Sequence, residues 1–168
     1  MLAVAFVFGI AGTMQAAWSE RTVYVKFFSQ KDPAWANEDM VPNYKMQRWG
    51  CLVTCTAMAL VYYYYPTDPG RLNDWLGSHS GYDDYANVTD WRKIKDYTGE
   101  RIIASRFSGD ANSCFNKAKN EILSGRPCAI KTSLYGGHWI LVRGYEKGGR
   151  DRNGDGVGDG IFTVNDPV

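Results

Sequence analysis

The pattern of hydrophobic and polar positions predicts an early strand followed by a long buried helix. Residues 22–28 alternate and are rich in β-branched and aromatic side chains, which is typical of a strand. A polar and aromatic loop follows over residues 29–47. The apolar run from residue 51 to about 65, stopped by Pro66, gives the strongest helix prediction in the chain.

The remainder of the chain predicts short helices and four further strands. Helical spacing and helix-entry residues mark the helices, and apolar stretches rich in β-branched residues mark the strands. The predicted helices are 71–76, 89–97 and 110–123, and the predicted strands are 101–107, 127–134, 138–145 and 161–164. The order of these elements favours an α+β fold with a mainly antiparallel sheet.

Residues 1–17 differ from the rest of the chain. Residues 2–10 are almost wholly apolar and residues 11–17 are rich in small side chains, although no positive charge precedes them. This pattern resembles a secretory signal peptide and is too short for a transmembrane helix. We therefore expect a signal peptide over 1–17, a single domain over 18–168, and a secreted or cell-envelope location. The alternative is a first helix packed on the domain.

Length and charge limit the class of protein further. A chain of 168 residues suits one domain with a substantial core. The formal net charge is +1, so the sequence gives no reason to expect a nucleic acid partner. For the same reason, no stable membrane association is expected after removal of the signal peptide.

Cys51 and His138 carry the clearest chemical pattern. Cys51 follows a glycine and begins the apolar helix, where unpaired N–H groups and the helix dipole favour a thiolate. His138 begins a strand-like run that would hold its ring rigidly, whereas His79 lies in a polar loop. A cysteine with a distant histidine is typical of a hydrolase with a cysteine nucleophile.

Three further cysteines leave the disulfide pattern open. If Cys51 is a free nucleophile, at most two of Cys55, Cys114 and Cys128 can pair. Export would permit a disulfide between Cys114 and Cys128, and the alternative is that both are small buried thiols.

A series of short motifs follows along the chain. They are Gln30 within residues 28–35, Gly50-Cys51 leading into residues 56–60, Gly125-Arg126-Pro127, residues 137–145 around His138, and Asn165-Asp166-Pro167. Their order and spacing resemble the C39-like group of papain-fold cysteine peptidases, over most of residues 28–168. The resemblance implies a papain-like fold in which the nucleophile helix packs on a mainly antiparallel sheet. It also implies truncation at the C-terminus, because such domains usually continue beyond this aspartate.

The resemblance implies a role for each of four residues. Cys51 would be the nucleophile, and His138 the general base that later protonates the leaving amine. Asp166 would accept a hydrogen bond from the other ring nitrogen and fix the tautomer. The side-chain amide of Gln30 would stabilise the oxyanion together with the backbone N–H of Cys51. Gln47, four residues before the nucleophile, is the alternative oxyanion residue.

A Gly- and Asp-rich insertion over residues 148–160 separates His138 from Asp166. Its spacing matches the first nine positions of an EF-hand-type calcium loop, but the twelfth position is Phe162 in place of a bidentate glutamate. The pattern predicts a structural Ca²⁺ site, with no cofactor needed for catalysis, and the alternative is a hairpin loop between two strands. The candidate ligands are Asp151, Asn153, Asp155, Val157 through its carbonyl, and Asp159.

The sequence thus supports two functions of different classes. The first is an exported cysteine peptidase or amide hydrolase that acts on a peptide or protein through a thioester acyl-enzyme. The second is a non-catalytic papain-fold binding module with a calcium-stabilised loop, which has no need for a reactive Cys51. Exposed aromatics would then bind a wall polymer or a protein partner, and the candidates are Trp35, Trp75, Tyr82, Tyr85 and Trp91.

We expect calcium removal to disturb Asp166, because the insertion connects it to the strand of His138. A chelator should therefore lower both the melting temperature and the peptidase activity, and added calcium should restore them. If neither quantity changes on chelation, the calcium site is wrong.

Overall fold

A computed structural model describes residues 3–9, 20–133, 137–148 and 160–168, with the backbone alone described for 3–9. Within these ranges the chain combines five helices with a mainly antiparallel sheet, so the predicted α+β class is confirmed. The strands are β1 (Ala3–Gly9), β2 (Arg21–Thr22), β3 (Asp39–Val41), β4 (Tyr44–Lys45), β5 (Ile103–Gly109), β6 (Cys128–Lys131), β7 (Trp139–Glu146) and β8 (Ile161–Asn165), and the helices are α1 (Met46–Trp49), α2 (Cys51–Tyr62), α3 (Pro69–Ser78), α4 (Arg92–Tyr97) and α5 (Ala111–Leu123).

Strand β7 organises the main sheet. It pairs with β6, with β8 and, near its end, with the short strand β2. Beyond β6 the sheet continues through β1 to β5, and every pair is antiparallel. Strands β3 and β4 form a separate hairpin that leads directly into α1 and α2. The strand that begins beside His138 is therefore held from both sides.

Helix α2 forms the centre of the core. Its residues from Val53 to Leu60 are all buried, as expected for an apolar helix that is covered on most sides. The helix packs on β7 and on β6. It ends somewhat earlier than predicted, because Tyr64 takes a left-handed backbone conformation with φ 61° and lies 96% exposed.

Aspartates cap the starts of helices α3 and α5. Asp68 Oδ1 accepts a hydrogen bond from Arg71 N at 2.9 Å before α3, and Asp110 Oδ1 accepts one from Ser113 N at 2.7 Å before α5. These contacts satisfy N–H groups that the first turn of a helix leaves unpaired. The predicted helix over 89–97 is confirmed only from Arg92 onwards.

The early strand is shorter than predicted. Only residues 21 and 22 form β2, and Val23 N adds one hydrogen bond to Arg143 O at 2.8 Å. The predicted alternation is nevertheless present, since Val23 and Val25 are buried and Tyr24 is exposed. The hairpin β3–β4 and helix α1 were not predicted, because elements of two to four residues are too short to show a hydrophobic period.

The N-terminal segment contains a strand rather than the alternative first helix. Residues 3–9 form β1, which pairs with β5 on one side and with β6 on the other. Residues 1–2 and 10–17 lie outside the described residues. The signal peptide over 1–17 therefore stays a prediction.

The four cysteines are thiols that form no disulfide with one another. Cys114 Sγ lies 3.8 Å from Gly109 O, and Cys128 Sγ lies 4.0 Å from Ala118 O. Both residues are buried, so they are the two small buried thiols of the alternative prediction and do not form the disulfide. Among the described helices, none combines the length and apolar character required to cross a bilayer.

Leu141 tests the dependence of the fold on β7. Its side chain is fully buried, so Leu141→Ala should lower the free energy of unfolding by about 2–5 kcal/mol through lost burial and a residual cavity. Ile161→Ala on the neighbouring strand is the matched control, because Ile161 is 55% exposed. This substitution should lower the free energy of unfolding by less than about 1 kcal/mol. Urea denaturation measures both, and equal losses would contradict this packing.

Candidate active site

The thiol of Cys51 lies against the start of strand β7. Cys51 is the first residue of α2, and its sulfur takes a hydrogen bond from the backbone of Trp139. One turn later, Cys55 Sγ donates to Trp139 O at 3.6 Å. Gly50 is required just before the thiol, because a Cβ there would lie 2.6 Å from Met46 O. The start of the helix is thus fixed to the residue that follows His138.

Burial raises the pKa of the Cys51 thiol above its ordinary value. Backbone hydrogen bonds from Trp139 and Leu52 and the positive charge of Lys131 oppose this shift but do not outweigh it. The sequence predicted that the helix N-terminus favours a thiolate. The N–H groups at the start of the helix do lower the pKa of Cys51, but the loss of solvent around the sulfur raises it by more.

His138 is buried and forms a hydrogen-bonded pair with Asp166. Its Nε2 lies 2.7 Å from Asp166 Oδ1, with the imidazole 5% and the carboxylate 48% exposed. Thr132 fixes the histidine backbone, since both its N–H and its hydroxyl donate to His138 O, at 2.8 Å and 3.1 Å. This pair engages Nε2, so Nδ1 is the nitrogen through which the ring could exchange a proton with a thiol.

Strand β8 places Asp166 by ending one residue before it. Asn165, the last residue of β8, is buried and accepts from Arg143 Nε at 3.0 Å through Oδ1. The next side chain along the strand alternates to the other face, where it meets the imidazole. Val168 N also donates to Asp166 Oδ1, at 3.1 Å. Burial raises the pKa of the Cys55 thiol, and the nearby charges of Cys51 and Asp166 raise it further.

Gln30 is buried and faces the segment before the nucleophile. Its Nε2 donates to Gln47 O at 2.7 Å, and its backbone N donates to Pro167 O at 2.7 Å, next to Asp166. Its Oε1 is buried and accepts no hydrogen bond from the described residues. The alternative residue, Gln47, points its own amide at Asn37 Oδ1, 3.2 Å away, and is exposed. Of the two glutamines, Gln30 therefore has the enclosed side chain.

The segment after Gln30 forms a compact turn that holds this glutamine in place. Asp32 Oδ1 accepts from Ala34 N at 3.0 Å, and Asp32 O accepts from Ala36 N at 2.8 Å. Trp35 is buried, donates from Nε1 to Ser29 O at 2.8 Å and meets Phe28 edge to face at 5.8 Å. The Asp-Pro-Ala-Trp motif thus has a positioning role, and Trp35 is not the exposed aromatic that the binding-module alternative requires.

The predicted calcium ligands lie outside the described residues. Asp151, Asn153, Asp155, Val157 and Asp159 all fall in residues 149–159. The ends of the insertion are joined, since Gly160 N donates to Gly148 O at 2.6 Å. Across the part of the chain that the structure describes, no cluster of three or more His, Cys, Asp or Glu side chains could hold a metal ion. The calcium site stays a prediction.

Two contributors to the site were missed by sequence reasoning. Lys131 lies opposite Trp139 in the β6–β7 register, and its positive charge lowers the pKa of Cys51 against the effect of burial. It packs against Gly137, where φ is 119° and a Cβ would lie 2.5 Å from Lys131 Cε. Thr132 holds the histidine carbonyl. The register of the predicted strands 127–134 and 138–145 could have indicated both residues.

Comparison with known proteins agrees with the motifs. The chain matches no curated protein and no solved structure. The model of the Peptidase_C39 like family matches residues 22–168, which includes Gln30, Cys51, His138 and Asp166. This match spans most of the sequence and confirms the resemblance. The chain belongs to the Peptidase_C39 like family.

Proposed function

We propose that this protein is a cysteine peptidase with a papain-like fold, in which Cys51, His138 and Asp166 act as a triad. Family membership supports a peptidase-like function in general. The observation that carries the finer proposal is the 2.7 Å contact between His138 Nε2 and Asp166 Oδ1, directly beside the residue that bonds the Cys51 sulfur. A peptide or protein is the corresponding substrate.

The first half of the reaction transfers an acyl group to sulfur. His138 Nδ1 takes the Cys51 proton, and the thiolate attacks the amide carbonyl to form a tetrahedral intermediate. The C–N bond then breaks, and the proton moves from His138 to the departing amine. The products are a free amine and a thioester on Cys51. Asp166 holds the ring in one tautomer and stabilises the imidazolium.

The second half releases the acyl group. A water loses a proton to His138 Nδ1 and attacks the thioester, and the proton then returns to the Cys51 sulfur as the carboxylic acid leaves. Because His138 is buried and its backbone is held by Thr132, the ring is positioned before substrate arrives.

Gln30 is the proposed oxyanion donor, together with the backbone N–H of Cys51. One N–H of its amide is engaged by Gln47 O, and an amide nitrogen carries two donors, so the second can meet the oxyanion.

The exposure of aromatic side chains disfavours the alternative of a binding module. Tyr85 is 70% exposed, but Trp35 is buried and Trp75, Tyr82 and Trp91 are half-buried against the core. These residues therefore do not form the open aromatic surface that a wall polymer would require. Export and removal of residues 1–17 remain part of the proposal and rest on the sequence alone. Removal would take β1 from between β5 and β6.

Cys51→Ala should abolish peptide cleavage, lowering kcat/KM by about 10⁴-fold or more, because the acyl acceptor is removed. A library of synthetic peptides, analysed by mass spectrometry, provides the measurement. Cys114→Ala is the matched control, since Cys114 lies on α5, and it should retain activity. Cleavage that persists in Cys51→Ala, or that is absent from the unmodified protein, would contradict the proposal.

Gln30→Ala and Gln47→Ala distinguish the two oxyanion candidates. Gln30→Ala should lower kcat by about 10²–10³-fold, because an aligned donor to the transition state is lost. Gln47→Ala keeps the backbone carbonyl that Gln30 contacts and removes only an exposed side-chain hydrogen bond to Asn37. The kcat of this variant should therefore stay within about twofold of that of the unmodified protein. Steady-state kinetics and melting temperatures would be compared. A larger loss of kcat in Gln47→Ala would reverse the assignment.

A further inference from the structure

A cavity of about 640 Å³ lies beside the segment that leads into helix α2. Two features connect it to the candidate active site. Gln47 lines the cavity, and its carbonyl holds the Gln30 amide at 2.7 Å. Trp49 also lines it and is separated from Cys51 by Gly50 alone. The cavity is therefore formed by the segment that leads directly to the thiol.

Two aromatic rings form the apolar wall of the cavity. The ring centroids of Tyr44 and Trp49 are 5.3 Å apart, and Trp49 is 44% exposed. Both rings come from the hairpin–helix segment β4–α1, which is anchored by the fully buried Met46. The wall is therefore supported by the core, while its outer surface is open to a ligand.

The cavity carries one positive charge that no described carboxylate neutralises. Lys45 Nζ lies 2.9 Å from Asp39 Oδ2, which compensates its charge. Arg48 forms no ion pair within the described residues, and its guanidinium lies 5.4 Å from the centre of the Trp49 ring. Stacking on the ring limits the freedom of the guanidinium and leaves its fork of donors available.

We infer that this cavity is a substrate subsite that binds an acidic side chain, Asp or Glu, of the peptide that Cys51 attacks. Arg48 binds the carboxylate through paired N–H donors, and Tyr44 and Trp49 contact its aliphatic part. The assignment of the ligand as a substrate rests on the proposed function. Binding of the acidic side chain does not require catalysis, so the two can be tested separately.

The test uses capped synthetic peptides that are identical except for Glu or Gln at one position. They are titrated into ¹⁵N-labelled Cys51→Ala protein and followed through the indole N–H signals, with Trp49→Phe assigning the Trp49 signal. We expect the Glu peptide to shift the Trp49 signal with a Kd about fivefold lower than the Gln peptide. The difference should shrink at high salt, because the contact is partly exposed.

Arg48→Gln should remove the preference for Glu while leaving binding of the Gln peptide unchanged. Arg106→Gln is the matched control. It removes the same charge from an exposed position on β5, which is separated from β7 in the sheet by β6 and β1. This variant should keep the preference for the Glu peptide. Equal affinities for the two peptides, no binding of either, or a preference that persists in Arg48→Gln would overturn the inference.

Cleavage by the unmodified protein separates the inference from the proposed function. If the Glu peptide binds through Arg48 but the unmodified protein cleaves neither peptide, the subsite stands and the peptidase proposal fails. If both peptides are cleaved with equal kcat/KM, and the values are unchanged in Arg48→Gln, the peptidase proposal stands and the subsite fails.

Discussion

The peptide group of Trp139 joins the helix and the sheet at the point on which the candidate site depends. It bonds the sulfur of Cys51, and its carbonyl accepts from Cys55 one helical turn later, so the start of α2 is fixed to the start of β7. His138 precedes this residue, and β8 pairs along β7 and ends next to Asp166. Strand pairing and one helix–strand contact thus fix Cys51 at the start of a helix, and His138 and Asp166 next to the ends of strands. Our proposal of preorganised chemistry requires such fixed positions.

Burial at this junction has a chemical consequence. Cys51 is removed from solvent far enough that its thiol pKa is raised, even though backbone N–H groups and Lys131 act in the opposite direction. The helix N-terminus alone therefore does not supply a thiolate at neutral pH. In our account the thiolate forms by proton transfer to His138, and Asp166 stabilises the resulting imidazolium. The family match over residues 22–168 contains all three residues.

Much of the fold could be predicted from the sequence. The apolar run of α2, the aspartates before α3 and α5, and the strands β6, β7 and β8 are local signals that the structure confirms. The site residues could be named from motifs, but their environment could not, because burial of Cys51 and the register of Lys131 opposite Trp139 depend on contacts between distant segments. The hairpin β3–β4 and α1, which carry the Arg48 cavity, were too short to show a period.

The pH dependence of Cys51 alkylation by iodoacetamide, measured at this residue by mass spectrometry, tests the central claim most directly. If His138 takes the thiol proton, the charge of the imidazolium should outweigh the burial that raises the pKa of Cys51. The unmodified protein is then expected to label rapidly below about pH 6, well under the ordinary thiol pKa of about 8.5. His138→Ala removes the imidazolium, so the pH midpoint of Cys51 labelling should rise to about 8.5 or above, because burial raises the pKa of the thiol. An unmodified protein that labels with a midpoint near 8.5, unchanged in His138→Ala, would contradict the account.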